Sequence, residues 1–190
     1  QIRSIALLPL VNPTGDPAQD YLASGLTEQL IQELALRRDL QVAPFAAVSS
    51  LRQERVLPAE LCRRLGVEAF VEGSVRREGD RILLHLRLVP GSSGLATWAQ
   101  SLDLPWRELG EVPPRGASWL ARALDLPPEP GRVLGGSRDA EATAAYWEAR
   151  YEFSLLNAGG IEKALTLYGR AVQRDPGFAS AHGGLANAEL

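Results

Sequence analysis

"VEAFVEGSVRREGDRILLHLRLVPGSSGLATWAQSLDLP", residues 67–105, is the stretch on which the fold turns. Glu78-Gly79-Asp80 is a turn signal between two strand-like runs, and Pro90 to Gly94 is a second. Between these breaks Val67–Arg77, Arg81–Val89 and Leu95–Leu104 read as an antiparallel meander. Side chains alternate across a strand, so Ile82, Leu84, Leu86 and Leu88 share one face of the middle run. Leu83, His85, Arg87 and Val89 take the other.

Upstream, "RSIALLPL" (3–10) is apolar with little alternation, as for a strand buried on both faces. Asp16 followed by Pro17 marks a helix start, because Asp caps free N–H groups and Pro suits the first helical position. Tyr21, Leu22, Leu26, Leu30, Ile31 and Leu34 then recur at helical spacing, and Arg37 and Arg38 close the helix at the negative end of its dipole. "LQVAPF" (40–45) reads as a second short strand and "AAVSSLRQERV" (46–56) as a short helix. "PAELCRRLG" (58–66) reads as a better one, with Pro58 near its start and Gly66 as C-cap. "GASWLARALDL" (116–126) is an amphipathic helix after the meander. Together these predict an α/β (α+β) mixed sheet flanked by helices over residues 1–126.

"PPEPGRVLGGSRD" (127–139) is a Pro/Gly linker. Beyond it, residues 140–190 turn to Ala, Leu and aromatics at helical spacing. Ala140–Asn157 reads as one helix, Gly159-Gly160 as a turn and Ile161–Arg174 as a second helix. "DPGF" breaks that helix and a third starts near Ala179. An all-α helical hairpin and the start of another suggest a repeat array cut short. The chain opens at Gln1, contains no methionine and stops within a helical pattern, so both ends read as boundaries inside a longer protein.

The bulk numbers narrow the function classes. Hydrophobic residues make up 45% and charged residues 23% of the 190, an ordinary globular balance. A net charge of −3 argues against nucleic acid as a direct partner, since phosphate contacts need a basic face. No apolar run reaches the length of a membrane-spanning helix. A single cysteine, Cys62, excludes an internal disulfide. The compartment stays open between cytoplasm and periplasm.

Two resemblances sharpen this reading. "KALTLYGRAVQRDPGFASAHGGLANA" resembles a tetratricopeptide repeat: Ala164 and Tyr168 match its small and aromatic positions, Ala171 and Pro176 its later small and proline positions. Tyr146, Trp147, Tyr151 and Phe153 depart from the repeat's first-helix order, and of His182, Leu185, Ala186 and Glu189 only Leu185 fits. The match is one divergent repeat plus the opening helix of a second. "SIALLPLVNPTGDPAQDYLASGLTEQL", "LGVEAFVEGSVRREGDRILLHLRLV" and "GLATWAQSLDL" resemble the TolB amino-terminal-like domain, in the expected order. That resemblance implies a mixed sheet with no known catalytic residues. It also implies a place in a bacterial multidomain regulator, downstream of an adenylate cyclase, protein kinase or winged-helix effector. The implied partners are a protein held by the helical repeats and the effector of the same polypeptide. Self-association through the exposed edge of the meander is a further reading.

Candidate chemistry is sparse. The turn "NPTGDP" lacks the glycines or lysine of a nucleotide-phosphate loop, and Asp16 puts a carboxylate where a phosphate would sit. Asn12, Thr14, Gly15 and Asp16 are therefore turn and cap residues first, and a candidate small-ligand loop second. His85 and His182 are far apart and no metal-ligand spacing occurs, so no metal or cofactor is expected. Cys62 reads as a core residue, and Ser24, Ser49 and Ser50 have no nearby histidine base. Arg76, Arg77, Arg81 and Arg87 read as a solvated hairpin tip. Trp98 and Trp119 are expected against each other or the sheet, and Gly25 is expected where a helix approaches the sheet closely. Tyr151, Phe153 and Tyr168 are expected in the inter-helix core. The expectation is a non-enzymatic regulatory or scaffold segment; a small-ligand sensor is the alternative.

Overall fold

A computed structural model describes residues 2–49, 57–127 and 136–188. Strands β1 (Ser4–Leu7), β2 (Gln41–Val42), β3 (Ala69–Glu78), β4 (Arg81–Pro90) and β5 (Trp98–Pro105) form one sheet in the order β2-β1-β3-β4-β5. β1 runs parallel to β2 and β3, and β3, β4 and β5 form the antiparallel meander. The sheet is therefore mixed and flanked by helices, as the sequence predicts.

Helices α1 (Asp20–Ala35) and α4 (Val112–Ala123) cover one face. Ile82, Leu84, Leu86 and Leu88 of β4 are buried beneath them. Gly116 lets α4 settle: a Cβ there would stand 2.9 Å from Leu30 Cδ2 of α1, 3.6 Å from Leu84 Cδ2 and 3.7 Å from Leu86 Cδ1. Truncating one such leucine to alanine costs about 2–5 kcal/mol, because the vacated space cannot fully collapse. Short helices α2 (Phe45–Ser49) and α3 (Pro58–Leu65) bring Val48 and Leu61 to the opposite face, beside Leu8, Phe70 and Val89. Gly66 caps α3 in the left-handed conformation, with φ +66°. The remainder of the expected 46–56 helix, residues 50–56, lies outside the described residues, as do residues 128–135 of the linker.

Four local readings are corrected. Asp16 caps a 3-10 turn at Pro17–Gln19, accepting from Ala18 N–H, and α1 proper begins only at Asp20. Arg37 lies beyond α1 and is buried; its guanidinium pairs with Asp39 at 2.8 Å and donates to the Pro127 carbonyl at 2.9 Å, so it ties the segment after α1 to the segment after α4. Helix α4 starts ahead of Gly116, at Val112, since Pro113 and Pro114 suit a first turn that needs no N–H donors.

The fourth concerns the helical hairpin, α5 (Ala140–Ser154) and α6 (Ala158–Arg174). Gly159-Gly160 is not its turn but the first turn of α6, capped by Asn157 Oδ1 accepting from Gly160 N–H at 2.8 Å. The reversal falls on Leu156, which adopts φ +51°. Gly160 is needed for another reason: a Cβ would stand 2.6 Å from the Glu152 carbonyl.

Helix α7 (Ala179–Ala188) packs on this hairpin. Ala164, Tyr168 and Ala171 are buried between the helices, and Pro176 lies in the turn from α6 to α7. Phe178 closes the other end, its ring 4.9 Å from that of Tyr146. Helix α5 joins this layer to the sheet layer. Its Ala140, Ala144 and Trp147 belong to the same apolar cluster as β4 and α1.

Candidate functional site

The seam between α5 and the sheet layer, α1 and the segment after β5, is built from three contacts. Gly25 of α1 faces Trp147 of α5, and a Cβ at Gly25 would stand 2.6 and 2.7 Å from Trp147 Cβ and Cδ2. The close approach expected of Gly25 is thus made to a helix, not to the sheet. Glu28 of α1 pairs with Arg150 of α5, and Trp106 Nε1–H donates to Glu141 Oε1 at 2.8 Å. The Arg77 guanidinium lies over the Trp106 ring, 3.8 Å from its centre, which adds a cation–π attraction. So Arg77 is drawn into the fold, while Arg76 pairs with Glu78, Arg81 with Asp103 and Arg87 with Glu72.

Above this seam a groove of about 470 Å³ opens between α1, α5, α6 and α7. Glu28, Tyr146, Arg150, Phe153 and Tyr168 form its deep side, and Ser180, Gly183, Gly184 and Asn187 of α7 form the other. Gly184 lets α7 sit on Tyr168, since a Cβ would stand 2.6 Å from that ring's Cζ. Burial pushes the Glu28 carboxyl above its ordinary range, and the Arg150 charge pulls it only part of the way back. Burial opposes the Arg150 charge, but Glu28, Tyr146 and Tyr168 together hold it above the usual arginine value. The Tyr168 hydroxyl is pushed up to about 12, by burial first and by Tyr146 second. The groove therefore keeps a compensated cation, tyrosines and amide and hydroxyl groups at its wall. That set can donate and accept hydrogen bonds, and among the described residues that line it there is no histidine or cysteine.

A second hollow, of about 750 Å³, lies on the sheet face away from α1 and α4. Leu8, Val11, Phe70, Val89 and Leu95 give it apolar walls, and Ser74, His85 and the Glu72–Arg87 pair (2.7 Å) give it polar groups. His85 is an exposed sheet residue, as expected, with Nδ1 3.0 Å from Ser101 Oγ. Val11 is tied to β3 by its N–H to the Gly73 carbonyl and its carbonyl to Val75 N–H, both at 3.0 Å.

The loop that follows satisfies itself. Asn12 Nδ2–H donates to the Asp16 carbonyl at 2.8 Å and to Asp20 Oδ1 at 2.9 Å. Asn12 Oδ1 accepts from Thr14 Oγ1–H at 2.6 Å, and Thr14 Oγ1 accepts from Asp16 N–H at 3.1 Å. Gly15 supplies the positive φ, +73°, that this compact turn requires. Cys62 is buried, and burial raises its thiol pKa, which disfavours the reactive thiolate. Among the described residues no three His, Cys, Asp or Glu side chains gather into a metal-holding group, and no described helix is long and apolar enough to cross a membrane.

The structure brings together none of Asn12, Thr14, Gly15 and Asp16 with the helical residues Ala164, Tyr168, Ala171 and Pro176; they lie in different layers. Of the groove residues, Tyr168 and Phe153 were legible as inter-helix residues. Glu28, Arg150 and the Trp106–Glu141 bond were not, because no local pattern links positions so distant in the chain.

No family model matches the chain. A protein of Rhizobium meliloti (strain 1021) named "Putative adenylate cyclase 3" is 32% identical over 189 residues, which covers 96% of this chain. The chain spans about a third, 32%, of that relative's length. Among solved structures, TolB from Acinetobacter baumannii superposes with a TM-score of 0.45 at 16% identity, over 65% of this chain and 28% of that one. Lipoprotein GNA1162 from Neisseria meningitidis gives 0.42 at 21% identity, over 54% and 79% of the two chains. The LpoB C-terminal domain from Escherichia coli gives 0.40 at 14% identity, over 54% and 82%.

Proposed function

We propose that this chain is a non-enzymatic regulatory and scaffolding segment of a larger bacterial protein. It holds a protein partner in the groove of α5, α6 and α7 and relays that contact to an effector outside the chain. The proposal includes the division into a TolB amino-terminal-like domain (1–126), a linker (127–139) and tetratricopeptide-like helices (140–190). It also puts forward a nucleotide cyclase as the effector class, since the relative carries that name over a length of which this chain matches 32%.

The observation that carries the reading is the seam. Arg150 lines the groove and at the same time pairs with Glu28 of the sheet layer. Trp147, one turn earlier, is seated against Gly25. A partner that displaces α7 or engages Arg150 therefore loads α1 directly, and packed elements transmit such displacements because they are not continuously deformable.

The test is a displayed peptide library selected on the full chain and on Gly183→Arg. Gly183 is exposed in α7, a Cβ there meets nothing within 4 Å, and the added side chain fills the groove. Peptides enriched on the wild type and lost on the variant, with slowed amide exchange along α1 when bound, are the expected result. A selection that enriches nothing, or peptides indifferent to Gly183→Arg, removes the proposal.

The sensor reading keeps one specific observation in its favour: the sheet-face hollow begins at Val11, where the Asn12–Asp16 loop starts. A metabolite panel read by thermal shift decides it, and a panel with no shift ends it.

A further inference from the structure

Strand β5 ends the sheet, and Ala99, Gln100 and Ser101 along it are exposed. Trp106 N–H donates to the Asp80 carbonyl at 2.7 Å, which sets the phase of the ladder between β4 and β5. Backbone groups alternate in direction along an antiparallel strand. Leu104, Leu102 and Gln100 therefore bond to β4, while Asp103, Ser101 and Ala99 turn their N–H and C=O groups outward. Arg81 reaches round to cover one of these, its Nη2 lying 3.3 Å from the Asp103 carbonyl and its Nε 2.7 Å from the Asp103 carboxylate. Among the described residues nothing covers the groups of Ala99 and Ser101 or the Asp103 N–H.

Proteins usually shield such an edge with lysines, prolines or an unpaired charge. β5 carries no lysine, its proline stands at the last position, and its one charge is neutralised by Arg81. We propose that β5 is a homodimer edge, pairing antiparallel with β5 of a second copy about a two-fold axis at Ser101. The register is self-complementary. On the helix-covered face, partly exposed Trp98 comes opposite the partner's Leu104, and Gln100 opposite the partner's Leu102. On the other face, small Ala99 comes opposite the partner's Asp103, whose carboxylate keeps its own Arg81, so no unpaired charge is brought to the contact. The outward groups of Ala99, Ser101 and Asp103 meet those of the partner's Asp103, Ser101 and Ala99 because the strand is read against itself. A strand edge with two flanking apolar pairs is a small interface, so the association is weak and rises with concentration.

Sedimentation equilibrium of the full chain over a concentration series tests this. The expected result is a mass that doubles with concentration for the wild type. Ser101→Pro removes an N–H that bonds to none of the described residues of its own copy, so its circular dichroism is unchanged while its mass stays monomeric. Ser101→Lys gives the same loss without altering the backbone, and stands in if the proline variant does not fold. The two symmetry-related Ser101 Cα atoms would lie about 5.5 Å apart, within disulfide reach. Ser101→Cys therefore oxidises to a covalent dimer and Ala99→Cys does not, with Cys62 buried and silent. A wild type that is monomeric throughout overturns the proposal, including the case in which a foreign strand occupies the edge. So does a dimer that survives Ser101→Lys with Ser101→Cys uncrosslinked.

Discussion

Gly25→Ala and Gly169→Ala make the same chemical change in two helices, and the structure gives them opposite signs. In a helix interior, alanine is favoured over glycine by about 1 kcal/mol, because the glycine backbone has more freedom to lose. At Gly169 in α6 a new Cβ meets nothing within 4 Å, so the whole gain is expressed. For a chain of this size 1 kcal/mol raises Tm by about 2–4 °C. At Gly25 the Cβ would stand 2.6 Å from Trp147 Cβ, where ordinary carbon contacts lie at about 3.5–4.0 Å. Trp147 Cβ is bonded to the α5 backbone, so no rotamer change clears it, and α5 must retreat by about 1 Å. Overpacking of this kind costs about 1–3 kcal/mol. The retreat also loosens the packing of Ala140 and Ala144 and the Glu28–Arg150 pair. Set against the helix gain, Gly25→Ala loses about 0–2 kcal/mol net, a fall in Tm of up to roughly 8 °C. Urea denaturation followed by circular dichroism, with Tm from thermal scans, measures both variants. If Gly25→Ala matches or exceeds the stability of Gly169→Ala, the seam is not closed by that contact and the coupling argument loses its footing.

Burial holds the Glu33 carboxyl above its ordinary 4.5, against a hydrogen bond from Gln29. A raised folded-state pKa means that its contribution is fully present below the unfolded value and is lost as pH rises through the folded one. Glu33→Gln is therefore expected to raise Tm near neutral pH and to change nothing below about pH 4; equal Tm shifts in both buffers would contradict this. Ser137, buried beside α5, donates its hydroxyl to Asp175 at 2.5 Å and accepts from Asp139 N–H at 3.0 Å. Ser137→Ala leaves both groups without that partner and costs about 1–3 kcal/mol, read as a lower urea midpoint with an unchanged slope; an unmoved midpoint refutes it.

The sequence by itself determined the elements whose signals are local. The alternation of Ile82, Leu84, Leu86 and Leu88, broken by Glu78-Gly79-Asp80, is enough for a meander, because a one-residue slip would turn every leucine to solvent. Pro58 and Gly66 bracket α3 for equally local reasons of backbone geometry. Local signals misled where two of them competed. Gly159-Gly160 looks like a turn, yet Asn157 caps a helix through it, and the left-handed residue is Leu156, for which composition gives no warning. Tertiary structure alone decided the partners of long-range contacts. Gly25 announces a close approach, but whether to sheet or helix depends on where Trp147 arrives from another layer. Glu28 with Arg150, and Trp106 with Glu141, are single side chains on helical faces or in turns until packing brings them together. The groove and the free edge of β5 are likewise properties of how layers stack and where a sheet stops. Periodicity records which face of an element is buried; it carries no record of what buries it.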